Sequence, residues 1–316
     1  MPVIKVKDIA HARLRAPDLD VMEEFLTDFG LIRSERTRTA LYMRGSDTPH
    51  HLHVTELGEP RLLSIAYEAG SEDDLKRVAS VPGASAIEEI DEPGGGRRVR
   101  LTEPNGYQIE IVHGIKTVAP IPLKEQELNS GFHPLRRAGE VMRPRKGPAR
   151  IKRIGHAVIG TPKIRETLAW FRDTLGFICS DDVYVGDEDN LIGSFNRCDR
   201  GEEYVDHHSL FVLAYPPHPG LNHISFEVYD VDDVFMGHEH LRGKGKYEHM
   251  WGIGRHTLGS QIYDYWADPW GRVHEHWADS DRINIHNGSN LVPAEIGLAS
   301  QWGERVPEKM LTRITP

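Results

Sequence analysis

The sequence is poor in cysteine: Cys179 and Cys198 are the only two in 316 residues. Without a secretory signal, two thiols make no disulfide framework, and both are expected to be free. Long hydrophobic runs are missing as well. No apolar stretch approaches the roughly 18 residues of a membrane-spanning helix. The N-terminus, MPVIKVKDIA, lacks the apolar stretch of a signal peptide, so a cytoplasmic location is expected. There is no surplus of positive charge: 38 Lys and Arg stand against 48 Asp and Glu, for a net charge of -10. That argues against nucleic acid as the main partner, because phosphate binding needs a basic face. The nearest candidate, RRAGEVMRPRKGPARIKR (136-153), reads as a connecting segment.

What is present suits a globular protein. Apolar residues make up 39% and charged residues 27%, which excludes wholesale disorder. Eighteen histidines are many for this length and invite a metal hypothesis.

The chain contains itself twice. AHARLRAPDLDVMEEFLTDFGLIRSE (10-35) matches GHAVIGTPKIRETLAWFRDTLGFICSD (155-181), aligning His11 with His156, Pro17 with Pro162 and Gly30 with Gly176. A Ser-acid pair follows in each. LSIAYEA (63-69) matches NHISFEV (222-228), and EPNGYQIE (103-110) matches DPWGRVHE (268-275). The offset is 145 residues at His156 and 165 at Glu275, so the second copy carries 20 more residues in its loops. Ordered matches of this kind indicate duplication.

Each copy reads as two βαβββ units. In the second copy an apolar strand (152-160) meets Thr161-Pro162, expected as N-cap and first helical residue. Ile164, Leu168, Phe171 and Leu175 then recur at helical spacing until Gly176. Strands are expected near 177-185, 190-197 and 208-214. A second unit follows, with strand 222-229, a helix near 230-242, and strands through 261-267 and 272-278. The expected fold is therefore α+β, with four βαβββ units in two tandem modules. Residues 1-115 form the first module, 116-150 a proline-rich linker (prolines 120, 122, 134, 144 and 148), 151-282 the second module and 283-316 a tail.

His156, His223 and Glu275 each fall in a strand-like segment at similar positions in their units. Any one of them alone is more often a packed residue than a ligand. Together, two neutral imidazoles and a carboxylate on one face of a divalent ion leave its other face open. That is the arrangement used in non-haem Fe(II) oxygen chemistry. In the first copy His11 and Glu110 match, but Ser64 stands opposite His223, and a hydroxyl is a poor ligand. The first copy is expected to hold no metal.

The stretches IGHAVI (154-159), DHHSLFVL (206-213), LNHISFEV (221-228) and GRHTLGSQIYDYWADPWGRVHEHW (254-277) resemble the catalytic module of type I extradiol ring-cleavage dioxygenases, of the vicinal oxygen chelate superfamily. With the duplication and the degenerate first half, the resemblance spans nearly the whole chain. It implies two vicinal-oxygen-chelate modules with the active site in the second, and metal ligands His156, His223 and Glu275. It implies Fe(II), with Mn(II) as the alternative ion, and O2-dependent cleavage of a catechol-type aromatic in the catabolism of such compounds. A homo-oligomer is expected, with neither nucleic acid nor membrane as partner. The family's acid-base histidine, 15 residues before the second ligand, falls on His208. Its GRH histidine, 19 residues before the glutamate, falls on His256, and its tyrosine, 10 before, on Tyr265. A one-residue slip of register would turn His207 inward instead of His208.

Two other classes compete. A glyoxalase-like isomerase or lyase would need the metal but no O2, and a non-catalytic binding relative would have no use for His208, His256 and Tyr265. His50, His51, His53, His238, His240, His249, His274 and His276 are expected to be structural or solvated, the last two facing away from Glu275. Trp251 and Trp270 either line the pocket or pack in the core. Leu258 and Gly259 suggest a pocket wall with few hydrogen bonds. Nothing in the sequence places the tail.

Overall fold

In the computed structural model, which describes residues 1-316 apart from Gln126, Pro144 and Pro216, the strands form two large sheets. Pro144 of the linker thus lies outside the described residues. The first sheet begins with β1 (Ile9–Ala16), α1 (Leu19–Phe29), β2 (Ile32–Arg36), β3 (Ala40–Arg44) and β4 (His53–Leu57). The order repeats as β5 (Arg61–Glu68), α2 (Glu72–Ala79), β6 (Glu88–Glu89), β7 (Arg97–Thr102) and β8 (Gln108–His113). The second module runs β9 (Ile151–Thr161), α3 (Ile164–Leu175), β10 (Phe177–Val185), β11 (Asp187–Cys198), a short β12 (Val205–Asp206) and β13 (Leu210–Ala214). It continues with β14 (Gly220–Val228), α4 (Val231–Lys244), β15 (Glu248–His256), β16 (Ile262–Ala267) and β17 (Val273–Ala278). The last segment adds β18 (Arg282–Ile283), β19 (Asn290–Pro293), α5 (Ala294–Gly297), β20 (Ser300–Trp302) and α6 (Glu308–Thr312). These are the four βαβββ units. No helix among the described residues is long and apolar enough to cross a membrane.

In the ten-stranded sheet of the second module the leading strands of the two units, β9 and β14, lie side by side and antiparallel. Each has the closing strand of its own unit on its outer side, β13 and β17, in parallel pairing. β1 and β5, flanked by β4 and β8, repeat this arrangement in the first sheet.

Helix α3 shows how locally the pattern is written. Phe171 and Leu175 are buried, Ile164 and Leu168 pack against the same core, and Gly176 ends the helix at φ 76°. Only a residue without a Cβ takes that left-handed conformation at no steric cost. The N-terminus corrects the expectation: the helix starts at Ile164, and Lys163 is the N-cap without a side-chain bond. Thr161 is committed to β9, where its carbonyl accepts from Tyr215 N–H and it pairs with Ala214. Its hydroxyl accepts from Lys163 N–H and shares a hydrogen bond with the Thr167 hydroxyl, each at 3.1 Å.

One hydrophobic core runs through both modules. At their contact the His276 ring stacks on Phe29 at 3.8 Å and its Nε2–H donates to the Phe29 carbonyl at 2.6 Å. His274 Nε2 lies 3.3 Å from His53 Nε2. Both β17 rings are fully buried on the face opposite Glu275. Cys179 and Cys198 are free.

The segment after residue 283 is built into the second module. β19 pairs with β10 and β20 with β15, forming the two edges of the ten-stranded sheet. Farther on, Thr315 bridges to Leu221 of β14.

Candidate active site

The sheet order places β9, β14 and β17 next to one another, and the register does the rest. On β14, Ser225 is paired with His156 on one side and Glu275 on the other. His156, Ser225 and Glu275 thus form one row across the sheet, and side chains two residues apart share a face. His223 therefore joins the row from β14. His156 Nε2 lies 3.1 Å and His223 Nε2 3.4 Å from Glu275 Oε2, and the two nitrogens are 3.3 Å apart.

The electrostatics ask for a cation. Glu275 is fully buried, yet neither carboxylate oxygen has a hydrogen bond of good geometry. A buried, uncompensated carboxylate costs several kcal/mol. Burial alone would raise its pKa, but His156, His223 and His256 around it hold it well below the usual range, so the group stays ionised. Burial also lowers the pKa of His156. His223 Nδ1–H donates to Asn222 Oδ1 at 2.7 Å, which leaves the Nε2 lone pair free to bind a cation beside Glu275. Asn222 is oriented in turn by the carbonyls of Met310 and Arg313, at 2.9 and 3.2 Å. The residues present therefore fit a divalent ion on their donor chemistry.

His208 turns into the pocket and His207 away from it. The His208 ring centroid is 4.1 Å from that of His156, whereas His207 Nε2 meets Asp181 Oδ2 at 2.6 Å. The two Nδ1 atoms are 3.1 Å apart. With Asp181 accepting from His207 Nε2–H, the Nε2–H tautomer of His207 accepts at Nδ1. His208 must then donate from Nδ1 and carry its lone pair on Nε2. Despite burial, the bonds from His207 and Asn290 keep Asp181 ionised below the ordinary carboxylate range. Burial, then His156, depress His208 well below its usual value, so the ring rests neutral.

Tyr265 pairs across the ladder with Glu275 and packs on His223 at 5.1 Å. Its hydroxyl shares a 2.9 Å hydrogen bond with His256 Nε2. Burial and the Glu275 charge raise its pKa well above 10.0, so the phenol keeps its proton. Tyr263 on the same face is a packing residue, stacked on His256 and bonded to Ser300. Trp251 lines the pocket. Trp270 packs against the core, with the Arg272 guanidinium over its ring. The other walls are mostly apolar, with Gln261 the polar exception: Val158, Phe195, Phe211, Leu213 and Leu258, closed by Leu298, Val306, Met310 and Leu311 of the tail. The tail's part escapes a sequence reading, because it depends on edge pairing 44 or more residues away in the chain.

The first module repeats the frame with different contents. His11 and Glu110 flank Ala66 on β5, and Ser64 takes the His223 position, its hydroxyl 3.1 Å from Glu110 Oε1. Arg13, Arg98 and Arg100 each place a guanidinium nitrogen 3.8–3.9 Å from Glu110. The histidine pair recurs too, a correspondence the sequence comparison missed: His50 and His51 join Nδ1 to Nδ1 at 3.0 Å, and His51 sits 4.6 Å from His11.

Residues 153–275 match the family model described as Glyoxalase/Bleomycin resistance protein/Dioxygenase superfamily. The chain is 31% identical over 307 residues to metapyrocatechase 2 of Cupriavidus necator, covering 96% of this chain and 91% of that protein. It is 26% identical over 301 residues to a manganese-dependent 2,3-dihydroxybiphenyl 1,2-dioxygenase of Geobacillus genomosp. 3, covering 91% and 87%. It is 23% identical over 320 residues to an iron-dependent extradiol dioxygenase of Rhodococcus jostii, covering 95% and 97%. Among solved structures, homoprotocatechuate 2,3-dioxygenase of Arthrobacter globiformis superposes with a TM-score of 0.80 at 20% identity, covering 100% of this chain and 93% of that one. The chain belongs to the extradiol ring-cleavage dioxygenases of the vicinal oxygen chelate superfamily.

Proposed function

We propose that the protein binds Fe(II) through His156, His223 and Glu275 and uses O2 to open the ring of a catechol bearing an apolar, uncharged substituent, in the breakdown of aromatic compounds. One observation carries the metal reading: a fully buried carboxylate without hydrogen-bond partners faces two imidazole nitrogens within 3.4 Å. The relatives named as iron- and manganese-dependent bracket the choice of ion. Two imidazoles and one carboxylate suit Fe(II), and the histidines on the open side suit O2 chemistry. Iron held by His156, His223 and Glu275 would supply Lewis acidity toward the catechol and the one-electron chemistry that lets O2 react.

The chain's own groups supply binding and proton transfer. His208 Nε2, held as a lone pair through His207 and Asp181, accepts a proton and returns it to the departing oxygen. Tyr265, a neutral phenol, donates to the catechol oxygen, with His256 fixing its hydroxyl. Phe195, Trp251, Leu258 and the tail residues exclude water and hold the ring. No Lys, Arg, Asp or Glu is among the residues lining this pocket. A carboxylate on the substrate would be buried without a partner, which costs several kcal/mol.

The test is O2 uptake with purified protein and Fe(II) across catechols with alkyl, aryl and carboxylate substituents. Apolar catechols are expected to give a yellow ring-opened product with one O2 consumed per ring, and carboxylated ones at least about 100-fold lower kcat/KM. Turnover of a substrate without O2 would replace this reading with an isomerase or lyase.

A further inference from the structure

Asp264 lies on β16 next to Tyr265 but on the opposite face, fully buried and away from the pocket. His249 of β15 brings Nε2 to 2.8 Å from Asp264 Oδ1. His238 of α4 brings Nδ1 to 3.1 Å from the same oxygen and 3.2 Å from Oδ2. The two rings stand nearly perpendicular with centroids 4.9 Å apart. Trp266 Nε1–H donates to Oδ2 at 2.5 Å, which turns Oδ1 toward the imidazoles. Gly252, opposite Asp264 in the ladder, has φ 120°, and a Cβ there would stand 3.0 Å from Oδ1. His238 and His249 keep 18% and 33% of their side chains exposed, so the cluster has an open side.

The first module shows that the fold does not need this carboxylate. Asp264 pairs with His276 just as Val99 pairs with Ile111, and Val99 is a fully buried apolar residue. The second module puts there a carboxylate that its bonds from His238 and His249 keep ionised despite burial, a buried polar cluster that on stability alone is no better than well-packed apolar residues. Two imidazoles, one carboxylate and a solvent-facing side make the donor set of a four-coordinate divalent ion with water in the last position.

We propose that His238, His249 and Asp264 form a second divalent-cation site of the Zn(II) class, separate from the catalytic one. It clips α4 to β15 and β16, the strands whose other face carries Tyr265 and His256. The site shares no residue with the catalytic triad, so it can be read alone in a His223→Ala background.

The test is Zn(II) loading of the full chain, with bound metal counted after gel filtration and melting followed by circular dichroism. His223→Ala is expected to retain one equivalent of Zn(II) and to melt higher with it. His223→Ala/His249→Gln is expected to retain none and show no shift. His249→Gln alone is expected to lose one equivalent relative to the unmodified chain while keeping O2 uptake. Asp264→Val, which installs the first module's residue, serves as a folded variant lacking the site. A His223→Ala protein that binds no Zn(II), or a His249→Gln change that leaves its content untouched, overturns the proposal.

Discussion

The two modules present the same row of three positions on the same three neighbouring strands and fill it oppositely. In the second, two imidazoles face Glu275, and neither carboxylate oxygen has a hydrogen bond of good geometry. In the first, Ser64 replaces one imidazole, and Arg13, Arg98 and Arg100 gather around Glu110. Arg100 occupies the ladder position opposite Glu110 that Tyr265 occupies opposite Glu275. A buried carboxylate has to be neutralised in either case. Guanidinium groups do it with permanent charge and leave no vacancy for a reactant; a metal does it with open coordination positions. The difference separates a site that only stabilises from one that can act.

The largest expected effect comes from erasing the difference. His223→Ser, which turns the second site into a copy of the first, is expected to abolish O2 uptake and catalytic-site iron. The reverse change, Ser64→His, is expected to gain no iron, because the three arginines remain. Iron appearing there on metal analysis would break the comparison.

Next comes the histidine pair, which both modules keep. His208→Asn is expected to lower kcat by about 10²- to 10⁴-fold with iron content unchanged. Asp181→Asn acts one residue further out, by releasing His207 and hence the tautomer of His208. About a 10-fold loss in kcat is expected, with KM little changed and the pH profile of kcat displaced. In the first module the matching acid, Glu35, stands 3.8 Å from His50 rather than 2.6 Å, and Glu35→Gln is expected to change nothing in turnover.

The smallest effect lies where the modules touch. Burial lowers the pKa of His274 and of His276 from 6.5 to about 4, so the fold holds both rings neutral. Protons then favour the unfolded chain. This stability is fully present above pH 6.5 and is lost as pH falls toward 4, by roughly 3 kcal/mol per ring. Urea melts from pH 7 to 4 are expected to show this decline, and His276→Gln to flatten it. An unchanged slope in that variant would place the acid sensitivity elsewhere.

Much of this was legible in the chain itself. The duplication exposed four units, and the aligned His11, Ser64 and Glu110 marked which copy keeps all three donors. His156, His223 and Glu275 could be named because each lies on a strand with a matched partner. What stayed hidden depends on contacts that no local pattern encodes. Asp181 was visible only as part of a repeated Ser-acid pair, since its partner His207 is 26 residues away. The arginines filling the first site come from strands 85 residues apart, and the wall contributed by the tail rests on edge pairing. His238 and His249 read as ordinary helix and surface histidines because Asp264 approaches them from a third element.

The most direct measurement is the stoichiometry of O2 and iron in the reaction of one apolar catechol, made in parallel on the unmodified chain and His223→Ala. The account predicts iron-dependent consumption of one O2 per ring opened, and loss of both the uptake and the catalytic iron in the variant. Undiminished uptake by His223→Ala, or ring opening by protein stripped of metal, would contradict it.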